Sequence, residues 1–229
     1  MKLRAENGRV VVVYFGEGAA SEGDCHAAFN FASTLRCPII FFCRNNGWAI
    51  STPTNEQYGG DGISVRGLGY GIDTIRVDGN DFFAVFNATK KARELALENK
   101  PVLVEAMTYR VGHHSTSDDS TSYRSADEVK AWVDRENPIA RFHTYLVDKG
   151  WCTPNDDDKW KKQVRREVMK AFSAAEKIPL MHPHELFEDV YKEKTPSIAE
   201  QQRQFDEHLQ EHAEQYPLSK CEPIRQKEK

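Results

Sequence analysis

Short apolar runs alternate with helical patterns in the first half of the chain, and this alternation limits the folds that it can adopt. Four runs have strand character: RVVVVYF at 9–15, PIIFFC at 38–43, IDTIRV at 72–77 and PVLVEAMTY at 101–109. Apolar residues follow at helical spacing over 22–35 and 81–99, where Asp81 or Asn80 is the expected N-cap. Strands joined through helices by short connections form a parallel sheet with right-handed crossovers. The sequence therefore predicts an α/β domain, and the continuous β-branched run at 9–15 predicts a strand covered on both faces.

The second half of the chain has a different pattern, because strand-like runs stop near residue 125. SADEVKAWVDRE opens with a capping-box pattern from Ser125 to Glu128. Prolines separate the helical segments that follow, which are predicted near 138–149, 154–177, 184–193 and 197–215. We therefore predict an α/β domain over 1–125 and a helical C-terminal region over 126–229 that packs on it and on partner subunits.

Composition argues against several classes of protein. The chain has 229 residues and a net charge of −4, whereas nucleic-acid binders usually carry a basic face. No apolar run approaches the roughly 20 residues needed to cross a bilayer. The cysteines lie apart without a CxxC pair, which favours thiols in a reducing compartment over a disulfide framework or a zinc site. We therefore expect neither nucleic acid nor a membrane as a partner.

The turn after the first run carries an acid between two glycines, in the segment FGEGAASEGD. Gly16, Gly18 and Ser21 fall on the G-x-G-x-x-G frame of dinucleotide-binding loops. The fit is poor, because serine replaces the third glycine and Glu17 would repel a pyrophosphate. A P-loop is excluded, since no G-K-[ST] follows. The simplest alternative is a strand-to-helix turn that binds no ligand, in which Glu17 is a favourable charge at the helix N-terminus.

A divalent cation between Glu17 and a phosphate would explain the acid. Mg²⁺ takes oxygen ligands in octahedral geometry, typically one or two from the protein together with substrate phosphates. Neighbouring parallel strands open onto one crevice at their carboxyl ends, and RNNGW follows the second run. We predict that the Glu17 carboxylate, the Asn46 amide oxygen and the Trp48 backbone carbonyl bind Mg²⁺. Arg44 would neutralise phosphate charge there, unless it is an ordinary surface arginine.

A second polar segment, YRVGHHSTSDDSTSYRS, follows the fourth run. One interpretation is a flexible loop that its aspartates solvate and cap. The other rests on His113 and His114, because histidine is the side chain most often used for proton transfer, and these two are expected beside the crevice. His208 and His212 have the i, i+4 spacing of metal ligands but lack a third ligand, which favours a solvated helix face.

Together these motifs resemble the alpha subunits of the branched-chain 2-oxo acid dehydrogenases, which use thiamine diphosphate. GEG followed by NN resembles the thiamine diphosphate motif, in which most of the superfamily has G-D-G and this branch has Glu. The stretches GEGAASEGD, PIIFFCRNNGWAISTPT, EAMTY and YRVGHHSTSDDSTSYRS carry the resemblance, which runs along nearly the whole chain. Trp48 replaces the family's usual Tyr, a harmless change if only its carbonyl binds metal. The implied fold is the parallel-sheet thiamine-diphosphate-binding fold, with 1–125 as its C-terminal portion.

The resemblance also implies roles for individual residues. Besides Glu17 and Asn46, the expected cofactor contacts are Gly18, Ala19, Arg44 and His114. His114 would assist reductive acylation of a lipoyl group, while His113 would be structural. Ser115 and Ser125 match inhibitory phosphorylation sites, where a phosphate brings about −1.5 to −2 charges and would repel its neighbours. The residues expected to order the unmodified loop are Arg110, Asp118, Tyr123 and Arg124.

By the same resemblance, the cofactor would lie between alpha and beta subunits of an α2β2 heterotetramer. The expected partners are the beta subunit, a lipoyl-bearing transacylase, a regulatory kinase and a phosphatase. The expected reaction is oxidative decarboxylation of branched-chain 2-oxo acids with acyl transfer to a lipoyl arm, in branched-chain amino acid catabolism. Localisation in the mitochondrial matrix follows from the resemblance alone, since the chain shows no presequence.

Chains of this family begin well before a strand like 9–15, and their N-terminal part carries a potassium site. We therefore expect this chain to be N-terminally truncated, with further strands upstream, and to be inactive alone. Two alternatives stay open. One is an alpha subunit of a pyruvate or acetoin dehydrogenase complex, and the other is a catalytically incompetent chain that acts only as an interaction partner.

Overall fold

A computed structural model describes residues 8–223 of the chain. These residues form two compact units, with the boundary in the sequence between Cys152 and Thr153. The sheet and every predicted site residue lie in the first unit. No helix within residues 8–223 combines the length and apolar character that a membrane span requires.

The first unit is built on a parallel sheet of four strands, in the order β1-β2-β6-β5. These strands are β1 (Val11–Gly16), β2 (Ile39–Asn45), β5 (Asp73–Asp78) and β6 (Val102–Met107). A short antiparallel hairpin of β3 (Trp48–Ala49) and β4 (Thr52–Pro53) follows β2. All pairings within the four-stranded sheet are parallel, which confirms the predicted α/β class.

Six helices accompany this sheet within the described part of the first unit. They are α1 (Gly23–Thr34), α2 (Thr54–Gln57), α3 (Ser64–Gly69), α4 (Phe82–Leu97), α5 (Ala126–Glu136) and α6 (Pro138–Asp148). Asp81 is the N-cap of α4, where its side chain accepts from the backbone amides of Phe83 and Ala84. Helices α5 and α6 belong to the first compact unit, although they lie beyond residue 125.

The core lies on both faces of the two central strands. On one face, Phe29 of α1 packs in a buried cluster with Phe41 of β2 and Leu103 of β6. On the other, Ala92 and Ala96 of α4 pack with residues of β2 and β6. Burying apolar surface on both faces stabilises the sheet by about 25 cal/mol per Å². The carboxyl ends of β1 and β2 are thereby held side by side.

The prediction that the strand at 9–15 is covered on both faces is wrong. Among the described residues, β1 pairs only with β2 and is an edge strand. Val11 is 58% exposed and Tyr14 is 73% exposed. The β-branched run specifies an extended backbone, whereas the place of the strand in the sheet depends on contacts distant in sequence.

The second unit is helical, as predicted. Its long helices are α7 (Pro154–Ala175) and α8 (Pro196–Glu211), and α7 starts from a capping box between Thr153 and Asp156. The prediction of a helix at 184–193 is wrong, because this segment forms only a 3-10 helix at Pro183–Phe187. The chain turns after it, and Glu188 pairs with Lys194 at 2.5 Å.

Candidate active site

Glu17 lies directly after β1 and is buried, with 1% of its surface exposed. Its Oε2 accepts from the backbone amide of Asn46 at 3.0 Å, which joins the ends of β1 and β2. Its Oε1 is buried without a hydrogen-bond partner among the described residues. Leaving a buried carboxylate oxygen without a partner is costly, and such groups in proteins are normally paired or bound to a metal. The unpaired Oε1 of Glu17 is therefore suited to bind a cation.

The turn after β2 presents the other two predicted metal ligands. Asn46 Oδ1 accepts from the Trp48 amide at 3.1 Å, which leaves this oxygen a second lone pair. Gly47 has a φ of +84°, a backbone conformation that favours glycine. The Trp48 carbonyl lies 3.4 Å from Arg110 Nη1, a long contact that also leaves a lone pair. The three predicted ligands are thus all oxygen atoms with a free lone pair, as Mg²⁺ prefers.

Gly18 allows the turn after β1 to approach the hairpin closely. A Cβ atom on Gly18 would lie 2.9 Å from the Cβ of Ala49, closer than side chains pack. Gln57 of α2 donates to the Glu17 backbone carbonyl at 2.6 Å and so holds the same turn. The predicted contact Ala19 is exposed and begins a 3-10 helix. The glycine therefore has a packing role here, apart from its predicted contact with a cofactor.

Arg44 is exposed at the carboxyl end of β2, where it is paired with Gly16 in the ladder. Its side chain forms no hydrogen bond or ion pair with another residue of the described range. The position suits an approaching phosphate and equally suits a surface arginine, so the predicted role stays a prediction.

Residues 109–125, the polar segment after β6, are called the polar loop here. The two histidines of the polar loop have different surroundings. His113 Nδ1 accepts from the backbone amide of Ser120 at 3.0 Å and lies 2.9 Å from its Oγ. The His114 side chain is exposed, and its backbone amide donates to Asp118 Oδ2 at 2.7 Å. His113 therefore fixes the loop internally, whereas the His114 side chain is accessible to a ligand.

A chain of hydrogen bonds connects this loop to the hairpin. Arg110 Nη2 donates to the Ile50 carbonyl at 2.7 Å and to the Tyr123 hydroxyl at 2.8 Å. That hydroxyl donates to Asp118 Oδ2 at 2.7 Å, the atom that also accepts from His114. The hydrogen bond from the His114 amide, then that from Tyr123, lowers the pKa of Asp118. Burial, then the bond to Asp118, raises the pKa of Tyr123.

Arg124 supports the base of the loop from within. The guanidinium is buried and donates to the backbone carbonyls of residues 110–112 and to Ser120 Oγ at 3.0 Å. It also lies 5.4 Å from the centre of the Tyr109 ring, within cation–π range. Tyr109 is stacked on Trp132 of α5. All four residues predicted to order the loop are thus in one connected network.

The two predicted phosphorylation sites differ in structure. Ser115 is exposed, and its Oγ lies 3.2 Å from Ser117 Oγ. Ser125 is the N-cap of α5 and accepts from the Glu128 amide at 3.1 Å. The predicted capping box is only half formed, because the Glu128 carboxylate accepts from the Tyr109 hydroxyl at 2.8 Å instead of returning to Ser125.

Sequence reasoning missed Glu105, a carboxylate in the middle of β6 with no exposed surface. It accepts hydrogen bonds from Asn45, from the backbone amides of Ile63 and Ser64, and from Arg76. Its signal was an acid inside the apolar run PVLVEAMTY, because a charge in a buried strand requires partners.

Comparisons with known proteins identify the family of the chain. The family described as Dehydrogenase E1 component matches residues 1–184. The chain is 60% identical over 217 residues to the mitochondrial 2-oxoisovalerate dehydrogenase subunit alpha of Caenorhabditis elegans, covering 95% of this chain and 50% of that protein. For the proteins of the same name from Homo sapiens and Dictyostelium discoideum, identity is 61% over 216 residues and 54% over 220. The matches cover 94% and 95% of this chain, and 48% and 50% of those proteins.

The chain spans about half the length of the curated relatives it matches. The family match covers most of its residues and includes Glu17, Asn46, Trp48 and the whole polar loop. The chain therefore belongs to the dehydrogenase E1 component family.

Proposed function

We propose that this chain is part of the alpha subunit of a thiamine-diphosphate-dependent branched-chain 2-oxo acid dehydrogenase. The observation that carries the proposal is the buried Glu17 oxygen without a partner, beside the Asn46 turn. The names of the relatives support the branched-chain substrate class over the pyruvate and acetoin alternatives.

In this proposal Glu17, Asn46 and the Trp48 carbonyl would hold Mg²⁺ together with the cofactor's diphosphate. Gly18 and Ala19 would contact the diphosphate, and Arg44 would neutralise part of its charge. When bound, thiamine diphosphate supplies the chemistry that removes CO2 from a 2-oxo acid. The protein's part is to hold the diphosphate in one position and orientation.

His114 moves a proton during acyl transfer to the lipoyl group of a transacylase. Exposure of its side chain supports this role, because the lipoyl arm must reach it from outside the chain. Arg110, Asp118, Tyr123 and Arg124 hold the loop in place for that transfer. Phosphorylation of Ser115, next to His114 and near Asp118, would introduce negative charge and disorder the loop.

The remaining elements of the proposal concern the whole protein. A beta subunit completes an α2β2 heterotetramer, a transacylase receives the acyl group, and a kinase and a phosphatase control the loop. A potassium site would lie outside this chain. The relatives are named mitochondrial, which supports the mitochondrial matrix as the location. The chain alone is expected to be inactive.

Calorimetric titration with Mg²⁺ and thiamine diphosphate tests the metal site, in the full-length alpha subunit assembled with its beta subunit. We expect Glu17→Ala to abolish binding, because the cation loses its buried carboxylate. Glu22→Ala is the matched control, since Glu22 is an exposed acid whose side chain makes no cap hydrogen bond at the start of α1. Unchanged affinity in Glu17→Ala would refute the metal role.

A further inference from the structure

The buried carboxylate of Glu105 is surrounded by donors. Oε1 accepts from Asn45 Nδ2 and from the Ile63 amide, both at 2.8 Å. Oε2 accepts from the Ser64 amide at 2.9 Å and from Arg76 Nε at 3.0 Å. Each oxygen thus has two donors, which is the full capacity of its lone pairs. Glu105 has no free position for a cation, unlike Glu17.

The same network fixes the charge state of Glu105. Burial alone would raise the pKa of this carboxyl, but hydrogen bonds from Asn45 and from the amides of Ser64 and Ile63 outweigh it and lower the pKa. Glu105 is therefore ionised at neutral pH and acts only as an acceptor. The start of α3 obtains its cap from this side chain, because Ile63 offers none of its own.

One of these bonds leads to the turn that carries the proposed metal ligand. Asn45 Nδ2 is held by Glu105, and Asn45 Oδ1 accepts from the Gly47 amide at 3.2 Å. Asn46 lies between these two residues, and its amide donates to Glu17. Asn45 Nδ2 also donates to the Tyr58 hydroxyl at 3.1 Å. The orientation of the turn depends on which way the Asn45 amide faces, and Glu105, the charged acceptor of the shorter bond, fixes that direction together with Tyr58.

We propose that Glu105 is a positioning residue that orients the Asn45-Asn46-Gly47 turn so that Asn46 and Glu17 face one cation. The inference rests on the proposed function, and it adds a residue that does not touch the metal. Outer partners that orient metal ligands typically contribute 10- to 100-fold to affinity.

Gly62 shows how closely the backbone surrounds this carboxylate. It has a φ of +75°, and a Cβ there would lie 2.7 Å from Glu105 Oε1 and 2.9 Å from Oε2. On the far side, Arg76 extends from Glu105 to Asp61, whose side chain is 82% exposed. The network thus has a buried end at Asn45 and an exposed end at Asp61.

The test is a titration of the full-length alpha subunit, assembled with its beta subunit, with MgCl2 at saturating thiamine diphosphate. The readout is the Mg²⁺ dissociation constant, with the melting temperature recorded separately. We expect Glu105→Gln to raise the dissociation constant about 10- to 100-fold, because its NH2 group would face two hydrogen-bond donors whichever way the amide is turned. Asp61→Asn is the matched control, since it neutralises an acid of the same network at its exposed end, and its dissociation constant should stay unchanged.

A second variant and a double variant keep the test decisive. Asn45→Ser shortens the side chain, which withdraws the donor from Glu105 and the acceptor from the Gly47 amide without changing any charge. It should therefore weaken Mg²⁺ binding even if Glu105→Gln fails to fold. In Asn45→Asp with Glu105→Gln, donor and acceptor are exchanged, and binding should be tighter than in either single variant. A lower melting temperature with unchanged Mg²⁺ affinity in both Glu105→Gln and Asn45→Ser would overturn the proposal. The proposal would also be overturned if the double variant bound Mg²⁺ no more tightly than Glu105→Gln alone and Asn45→Asp alone.

The two proposals fail in different ways. If Glu17→Ala binds Mg²⁺ and thiamine diphosphate normally, the proposed function itself is wrong. If Glu17→Ala loses binding while the Glu105 and Asn45 variants keep it, only the positioning role is wrong.

Discussion

Asp118 carries the hydrogen-bond chain from the hairpin to the polar loop. Its pKa is lowered by the His114 amide first and by the Tyr123 hydroxyl second. Because the pKa is lower in the folded state, ionised Asp118 stabilises the loop at any pH above the ordinary Asp pKa of about 3.9. This stabilisation is lost as the pH falls through the folded-state pKa. We therefore expect the His114 amide resonance to titrate below the ordinary Asp pKa in NMR spectra of the chain.

Tyr123→Phe provides the matched comparison for this titration. It removes one of the two donors to Asp118 and keeps the ring near Trp48. The titration midpoint should move upward, toward the ordinary value. A midpoint at or above the ordinary value in the unaltered chain would contradict the loop geometry.

His114 and His113 allow a second comparison between adjacent residues. In the assembled complex, we expect His114→Ala to bind the cofactor normally and to lower acyl transfer by about 10²- to 10⁴-fold, the usual contribution of a positioned acid or base. His113→Ala should instead loosen the loop, because His113 is bonded to Ser120. Transfer to a lipoylated domain is measured for both, with cofactor affinity by calorimetry. Normal acyl transfer in His114→Ala would exclude its proposed role.

Helix α5 depends on a single cap at Ser125. Replacing a Ser cap by Ala typically costs about 0.5–2 kcal/mol. We expect Ser125→Ala to lower the free energy of local opening of α5 by about that amount, measured by amide hydrogen exchange. Ser125→Asp keeps an acceptor at the cap, and protection of α5 should persist. Equal protection in Ser125→Ala and the unaltered chain would show that packing, rather than the cap, holds the helix.

The elements of this fold differ in how far the sequence could predict them. The apolar runs that became β2 and β6 carry a local signal, and Asp81 marks the start of α4 by local chemistry. The hairpin of β3 and β4 has two residues per strand, too few for a periodic pattern. The edge position of β1 depends on pairing distant in sequence.

In the candidate site, too, contacts between residues distant in sequence were harder to predict than local features. Glu17 and Asn46 could be paired in advance, because parallel strands place their carboxyl ends together. Glu105 could not be assigned partners, since its hydrogen bonds reach residues on β2, α3 and β5. Single-residue chemistry was therefore easier to predict than the network that supports it.

At the scale of the whole molecule, an apolar strand lies at the edge of the sheet that residues 8–223 form. Among residues 8–223, β1 has one neighbour, and Val11 and Tyr14 on it are largely exposed. Exposed apolar edges are templates for pairing with another chain. We therefore expect this 229-residue chain, expressed alone, to self-associate with increasing concentration.

Tyr14→Lys should reduce that association, because a charged side chain on an edge strand disfavours pairing with another strand. Tyr14 is 73% exposed and contacts Phe42, so the change removes little buried surface. Tyr191→Lys is the control, since Tyr191 is also exposed and lies in the second unit. Sedimentation velocity over a concentration series compares the three proteins. If both variants associate like the unaltered chain, the edge of β1 is not the contact, and association must arise from another apolar surface such as Trp160 and Phe172 on α7.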